Sequence, residues 1–156
     1  MNIDLIDPYV VKVLKANNWT VDRKIDIIPV IEQLENEGYH CFEYAKKVLE
    51  SLNEISIYAS SADGYMGAQL DIDALDGGSG EYDRLEDFEQ IAGEKLFPIG
   101  HNPIEFIYVG ESKKVYGGSW KEFRLLGNNI EDFLNRNFIM GSPFKVLWRK
   151  SLSSTS

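Results

Sequence analysis

The chain has 156 residues, of which 44% are hydrophobic, a composition that predicts a globular protein with its own core and excludes the intrinsically disordered class. The net charge of -9 and the isoelectric point of about 4.7 argue against direct binding to nucleic acid, which proteins hold mainly through lysine and arginine. No apolar run approaches the roughly 20 residues of a membrane helix, residues 1–4 show no signal-peptide features, and the single cysteine cannot form an internal disulfide. We therefore expect a cytoplasmic protein that does not associate with a membrane.

The first third of the chain predicts three helices. Asp7 followed by Pro8 is typical of a helix start, and apolar residues then recur at helical spacing as far as residue 17. A second helix is predicted from a cap at Asp26 to Gly38, whose residue type favours the left-handed conformation that ends helices. The third helix follows, and its predicted buried residues are Phe42, Tyr44, Ala45, Val48, Leu49 and Leu52.

The apolar period then changes from 3.6 to 2, which predicts a β-hairpin over residues 55–73. Its turn is predicted at Asp63-Gly64, a dipeptide that favours tight hairpin turns. Strand alternation places Asp71 and Asp73 together on the outer face of the second strand. The residues predicted to face the core are Ile55, Ile57, Ala59, Met66, Ala68, Leu70 and Ile72.

A glycine-rich segment and an acidic helix come next. Residues 76–80 contain three glycines and a serine and predict a flexible loop. Asp83 and Glu86 have the spacing of an acidic capping box, and the helix that they begin is predicted to end at Gly93. The apolar arc of this helix consists of Leu85, Phe88, Ile91 and Ala92, and the opposite, solvent-facing arc of Asp83, Glu86, Asp87 and Glu89.

The rest of the chain is predicted to be mostly strand. Strands are expected at residues 96–100, 104–109, 115–117 and 123–126, with a last helix capped by Asn129 and a terminal strand near residues 144–148. Short connections favour antiparallel pairing. We predict an α+β fold with a mixed, largely antiparallel sheet of about six strands, flanked by N-terminal helices and one C-terminal helix. Residues 1–150 form a single domain in this interpretation, and residues 151–156 a frayed tail.

The negative charge is concentrated in one stretch. Residues 63–94 hold ten of the 25 acidic residues and one of the 16 bases, so the remainder is balanced at 15 of each. Helix capping and solubility explain two or three of these acids, but not an acidic strand face, loop and helix face in succession. We predict an acidic surface that binds a basic partner. The candidate partner-binding residues are Asp71, Asp73, Asp76, Glu81, Asp83, Glu86 and Asp87.

The sequence offers no convincing catalytic or metal site, and we predict no enzyme activity and no cofactor. Cys41 and His40 are neighbours on a helix start and point about 100° apart, so a packing role is favoured for the thiol. His101 lies in a predicted turn without a second histidine or a cysteine at ligand spacing. Counted from Asp71, the acidic stretch fails the ligand register of a calcium-binding loop, because Leu75 takes the fifth position.

Both halves of the chain carry residues in a familiar order. The first half contains Asn18-Trp19, Arg23, Ile25-Asp26, Leu34, Gly38-Tyr39 and the helix with Ala45, Leu49 and Leu52. The second half contains Ala92-Gly93-Glu94, Leu96, Pro98-Ile99-Gly100, Val115-Tyr116 and the helix with Ile130, Phe133 and Leu134. Over about residues 10–137 this order resembles the SUKH superfamily and, more narrowly, its third subgroup of bacterial immunity proteins.

The resemblance implies an α+β fold and a role as the antidote to a toxin encoded beside it, without catalysis. Toxins paired with this family are commonly nucleases or nucleic-acid deaminases, whose clefts are basic, and an acidic surface is suited to occupy such a cleft. The alternative is an intracellular protein-interaction or regulatory scaffold module without a toxin partner. A neighbouring toxin gene favours the first interpretation, and its absence favours the second.

Overall fold

The computed structural model describes residues 1–58, 69–139 and 144–151. A short 3-10 turn, Ile3–Leu5, precedes the first helix. The helices are α1 Pro8–Ala16, α2 Ile28–Glu37, α3 Glu43–Leu52, α4 Ala74–Gly78, α5 Tyr82–Ala92 and α6 Ile130–Phe138. The strands are β1 Ile55–Tyr58, β2 Gln69–Ile72, β3 Leu96–His101, β4 Phe106–Gly110, β5 Val115–Gly118, β6 Glu122–Gly127 and β7 Lys145–Arg149.

The strands form one sheet in the order in which they occur along the chain, and every neighbouring pair is antiparallel. The α+β class and the largely antiparallel sheet are therefore confirmed, with seven strands in the described residues where about six were predicted. The predicted hairpin corresponds to β1 and β2, with Ile57 opposite Leu70 and both side chains buried. Its predicted turn and the predicted core residues Ala59, Met66 and Ala68 lie outside the described residues.

Helices cover both faces of the sheet. In β4, the side chain of Tyr108 points towards Phe88 of α5, with ring centroids 5.6 Å apart. Because strand residues alternate between faces, the neighbouring Ile107 and Val109 point the other way, and they are also completely buried. Helices α4 and α5 pack against β3, helix α3 packs against β3 and β4, and helix α6 packs against β6.

Helix ends follow the predicted signals in most cases. The side chain of Asp7 accepts a hydrogen bond from the backbone of Tyr9, and that of Asn129 accepts one from the backbone of Asp132. Gly38 ends α2 at a φ of 115°, which only glycine adopts without strain. The predicted acidic capping box is wrong: the N-cap of α5 is Glu81, two residues before Asp83, and no side chain caps the helix.

The predicted flexible loop over residues 76–80 is wrong for its first half, because the chain there forms α4. The side chain of Asp73 caps this helix by accepting a hydrogen bond from the backbone of Asp76 at 3.1 Å. Gly77 and Gly78 are buried, the first against Gly100 of β3 and the second against Pro98. The glycines allow the helix to lie directly on the strand, a close-packing use of glycine that composition alone does not distinguish from a loop.

Residues that carry the family resemblance have structural roles. The Trp19 indole is buried and donates a hydrogen bond to the hydroxyl of Ser51 at 3.1 Å. The Arg23 guanidinium donates to the backbone carbonyls of Ser51 and Asn53, both at 2.7 Å. These bonds satisfy carbonyl groups at the end of α3 that have no partner within the helix. Burial lowers the pKa of Arg23 from its ordinary value, but the group stays charged.

Tyr108 is completely buried, and its hydroxyl has no hydrogen-bond partner among the described residues. A buried donor without a partner costs about 1 kcal/mol or more. We therefore expect Tyr108→Phe to raise the free energy of unfolding by about 1 kcal/mol in urea titrations.

The matched control is Tyr116→Phe, which removes a hydroxyl that donates to Glu94 at 2.6 Å. This variant should lose stability, since a satisfied hydrogen bond is removed. A loss of stability in Tyr108→Phe comparable to that in Tyr116→Phe would show that the Tyr108 hydroxyl is bonded in solution.

Candidate partner-binding surface

Asp71 was predicted to lie on an exposed strand face, and this prediction is wrong. The residue is buried, with a relative exposure of 7%. The prediction of alternation is correct, since the neighbouring Leu70 and Ile72 face the core. The face of β2 that carries Asp71 is covered as well. The Asp71 carboxylate accepts hydrogen bonds from the Tyr58 hydroxyl at 3.1 Å and from Gln69 at 3.4 Å.

Two of the first three predicted acids, Asp71 and Asp76, lie beside His101 of β3, which pairs directly with Asp71 in the sheet. His101 Nδ1 lies 4.0 Å from Asp71 Oδ2, and His101 Nε2 lies 3.7 Å from Asp76 Oδ2. Asp76 is exposed, while Asp73 is half-buried and caps α4. These residues therefore form a compact group at the junction of β2, α4 and β3.

The other predicted acids lie on α5. Asp83, Glu86 and Asp87 are exposed, and no hydrogen bond or ion pair joins their side chains to another of the described residues. Glu81 differs, because its carboxylate lies 3.6 Å from the guanidinium of Arg84. The single base of the acidic stretch is thus already paired, and the three other carboxylates face solvent.

A surface tryptophan that the sequence analysis did not select stands beside this helix. Trp120, between β5 and β6, is 74% exposed, and the Arg84 guanidinium stacks on its ring at 4.3 Å from the centroid. A groove of about 700 Å³ runs from Trp120 between α5 and β7. Its lining residues are Asp83, Arg84, Asp87, Phe88, Gln90, Ile91, Ser119, Trp120 and Trp148.

The opposite side of Trp120 has a different charge. A second groove, of about 1020 Å³, is bordered there by Lys121, Arg149 and Lys150 and by the exposed Ile104. Its acidic members are engaged, since Glu122 lies 2.9 Å from Arg149. The predicted acidic surface therefore lies on the side of Trp120 that faces α5, and the second groove is not part of it.

A depression of about 260 Å³ lies between residues that contact the two acidic groups. Both His101 and Arg84 line it, together with Trp120. The structure therefore brings the Asp71 and α5 groups to neighbouring positions on one side of the molecule, with Trp120 and Arg84 between them.

The signal that identifies Trp120 is its position between two strands. Residues 115–118 and 122–127 are the strands β5 and β6, and Trp120 falls in the three-residue interval between them. The alternation of core-facing and outward-facing residues within a strand does not extend to a residue in a short turn. An aromatic side chain there is therefore not directed into the core. Trp148 was predicted as part of the terminal strand, but its 40% exposure follows from the position of β7 at the edge of the sheet.

Of the reactive side chains considered in the sequence, Cys41 lies between α2 and α3, and His101 ends β3. Burial raises the pKa of the Cys41 thiol to about 11, so little thiolate is present at neutral pH. Its only described hydrogen bond is a weak one, to the carbonyl of Phe42 at 3.6 Å. Across residues 1–58, 69–139 and 144–151, no three His, Cys, Asp or Glu side chains are arranged to hold a metal ion. None of the helices in these ranges is long and apolar enough to cross a membrane.

Comparison with known proteins gives one clear relationship. Residues 6–141 match the SUKH-3 immunity protein family. No curated protein and no solved structure matches the chain. The match includes α5 and Trp120 and ends before β7, so Trp148 lies outside it. Because the match covers most of the sequence, the chain belongs to the SUKH-3 immunity protein family.

Proposed function

We propose that the chain binds and neutralises a cognate toxin domain of the nuclease or nucleic-acid deaminase type through its acidic surface. The observation that carries this proposal is the solvent-facing side of α5, where three carboxylates have no ion-pair partner in the described residues. Enzymes that act on nucleic acids bind phosphate in basic clefts. A negative protein surface competes with the substrate for such a cleft, and membership of an immunity family supports this role.

Inhibition of this kind requires no chemistry from the chain. Long-range attraction between opposite charges speeds the encounter, and the bound protein then excludes the substrate from the cleft. Asp83, Glu86 and Asp87 contribute most in this proposal, because their charges are exposed and unpaired. Asp71, Asp73, Asp76 and Glu81 are also part of the proposed surface, as nearby charges that add to the same field. The site of action is the cytoplasm in this proposal, since the toxin acts inside the cell.

Charge reversal tests the electrostatic part of the proposal. We expect the triple variant Asp83→Lys, Glu86→Lys, Asp87→Lys to associate about tenfold or more slowly at low salt, with a flatter salt dependence. The measurement is stopped-flow association with a catalytically inactive form of the toxin domain encoded beside this chain. Co-expression with the active toxin domain should restore growth only when a stable complex forms.

The matched control reverses three exposed acids elsewhere, with Asp4→Lys, Asp22→Lys and Glu32→Lys. It changes the net charge by the same amount but leaves α5 intact. Equal slowing in the two triple variants would contradict a localised surface, and unchanged association in both would contradict electrostatic binding altogether.

A further inference from the structure

The groove between α5 and β7 combines exposed aromatic side chains with carboxylates that have no ion-pair partner in the described residues. Trp120 and Trp148 expose large aromatic faces, at 74% and 40% exposure. Asp83 and Asp87 line the same groove, with no ion-pair partner among the described residues. Exposed tryptophans of this kind are characteristic of residues that dominate the energy of protein interfaces.

The charge balance of the groove selects a cation as its occupant. Among the described residues, Arg84 is the one base that lines it, and the Glu81 carboxylate at 3.6 Å compensates the charge of Arg84. Two negative charges, those of Asp83 and Asp87, then remain uncompensated beside two indole rings. Carboxylates and aromatic faces both attract cations, so the two features of the groove favour the same class of side chain.

The geometry favours arginine over lysine. The Arg84 guanidinium already stacks on the Trp120 ring at 4.3 Å, which shows that this indole accepts a planar cation. An incoming guanidinium can stack on the free face of an indole while it donates two hydrogen bonds to a carboxylate, and a lysine ammonium cannot do both in a plane.

We propose, on the basis of the proposed function, that this groove receives an arginine side chain from the cleft of the toxin domain. Trp148 stacks on the guanidinium, Trp120 packs beside Arg84 against the stem of the incoming side chain, and Asp83 and Asp87 accept the hydrogen bonds of the guanidinium. The groove thus supplies the main anchor of the complex, while the rest of the acidic surface guides the encounter.

The charges of β7 disfavour a second copy of the chain paired through this edge of the sheet. β7 is the last strand of the sheet, and two copies paired antiparallel through β7 about Leu147 would place Lys145 opposite Arg149 of the second copy. Like charges directly opposite each other destabilise a strand pair. A basic cleft carries the charge opposite to that of the groove, whereas pairing of two copies through β7 brings like charges together.

The test measures the affinity of the complete chain for the inactive toxin domain encoded beside it. We expect Trp120→Ala and Trp148→Ala each to weaken binding about 30-fold, and Asp87→Asn about tenfold. Exposed residues outside the groove supply the controls, Val21→Ala and Asp22→Asn, which should leave the affinity within about twofold. Thermal unfolding checks that each variant folds, which the exposure of both tryptophans favours.

A second measurement identifies the occupant. Each arginine of the toxin cleft is changed to lysine, which keeps the charge but removes the planar group. One of these changes should weaken binding to the wild-type chain about tenfold and have no further effect on binding to Trp148→Ala. Sedimentation of the chain alone reports whether the groove holds a second copy.

The outcomes separate the inference from the proposed function. If the wild-type chain binds the toxin and the tryptophan variants bind equally well, the groove is not the anchor, while the proposed function stands. If the wild-type chain does not bind the toxin, both are wrong. The inference would also be overturned if the chain alone forms a dimer that dissociates on Trp148→Ala. The same holds if no arginine-to-lysine change in the toxin cleft weakens binding.

Discussion

Glu105→Ala should lower the free energy of unfolding by about 3 kcal/mol, because it leaves a largely buried arginine without its main carboxylate. Glu105 is 6% exposed and forms a two-bond pair with Arg124, whose Nε lies 3.1 Å from Glu105 Oε1. Asn102 donates a further hydrogen bond to Glu105 at 3.0 Å. On the other side, Arg124 lies on the ring of Phe144 at 4.9 Å from its centroid.

A double-mutant cycle measures the pair itself. Arg124→Met should also destabilise the protein strongly, whereas Glu105→Leu combined with Arg124→Met should cost much less than the sum of the two single changes. Urea titration of the three variants gives the coupling energy.

The exposed pair between Arg149 and Glu122 provides the control for this cycle. Its atoms are 2.9 Å apart, but the Arg149 side chain is mostly exposed, so Arg149→Met should change stability by less than about 1 kcal/mol. A loss in Glu105→Ala no larger than the loss in Arg149→Met would contradict the expectation.

Gly100→Ala should cost about 3 kcal/mol, since β3 lies too close to β2 at this point for a side chain. An added Cβ would overlap the backbone carbonyl of Asp71 and lie 3.0 Å from the Cα of Ile72. Backbone atoms cannot move aside as the end of a long side chain can, so the two strands would have to separate. These strands are held together at only one described residue pair, Asp71 with His101.

The matched control for this change is Gly93→Ala. Gly93 ends α5 at a φ of 74°, and an added Cβ there meets no atom within 4 Å. The substitution should therefore cost only the strain of the left-handed conformation, about 1 kcal/mol. Urea titration distinguishes the two effects, and a loss in Gly100→Ala no greater than in Gly93→Ala would show that the strands accommodate the extra carbon.

Local patterns predicted the secondary structure well where one period dominated. In α5, four apolar residues recur on one arc, and the exposed arc then follows from geometry, so the outward direction of Asp83, Glu86 and Asp87 is confirmed. The same prediction is wrong for Glu89, whose side chain is only 18% exposed and accepts a hydrogen bond from the backbone of Leu96 at 2.9 Å. The burial of Ile57 and Leu70 follows from the period of 2 in the same way. The direction of these side chains depends on the pattern of apolar residues nearby in the chain, which can be read from the sequence.

Other features depend on contacts between distant segments, and they were predicted less well. Strand alternation places Asp71 on the second face of β2, but only the neighbouring strands determine that Tyr58 and His101 cover that face. Gly77 and Gly78 have the composition of a loop, and their helix exists because Pro98 and Gly100 of β3 offer a surface without bulky side chains. Trp120 belongs to no periodic pattern, and its importance emerges only when α5 and β7 are placed beside it.

The two walls of the groove differ in their dependence on the core. Phe88 anchors the α5 wall, and it is buried against Phe123 with ring centroids 5.0 Å apart, so a substitution of Phe88 disturbs the fold. Every residue of β7 is exposed, and β7 lies beyond the residues that match the family. Sequence change can therefore reshape the Trp148 wall without disturbing the core. Such a division allows an immunity protein to keep pace with a changing toxin while its folding stability is preserved.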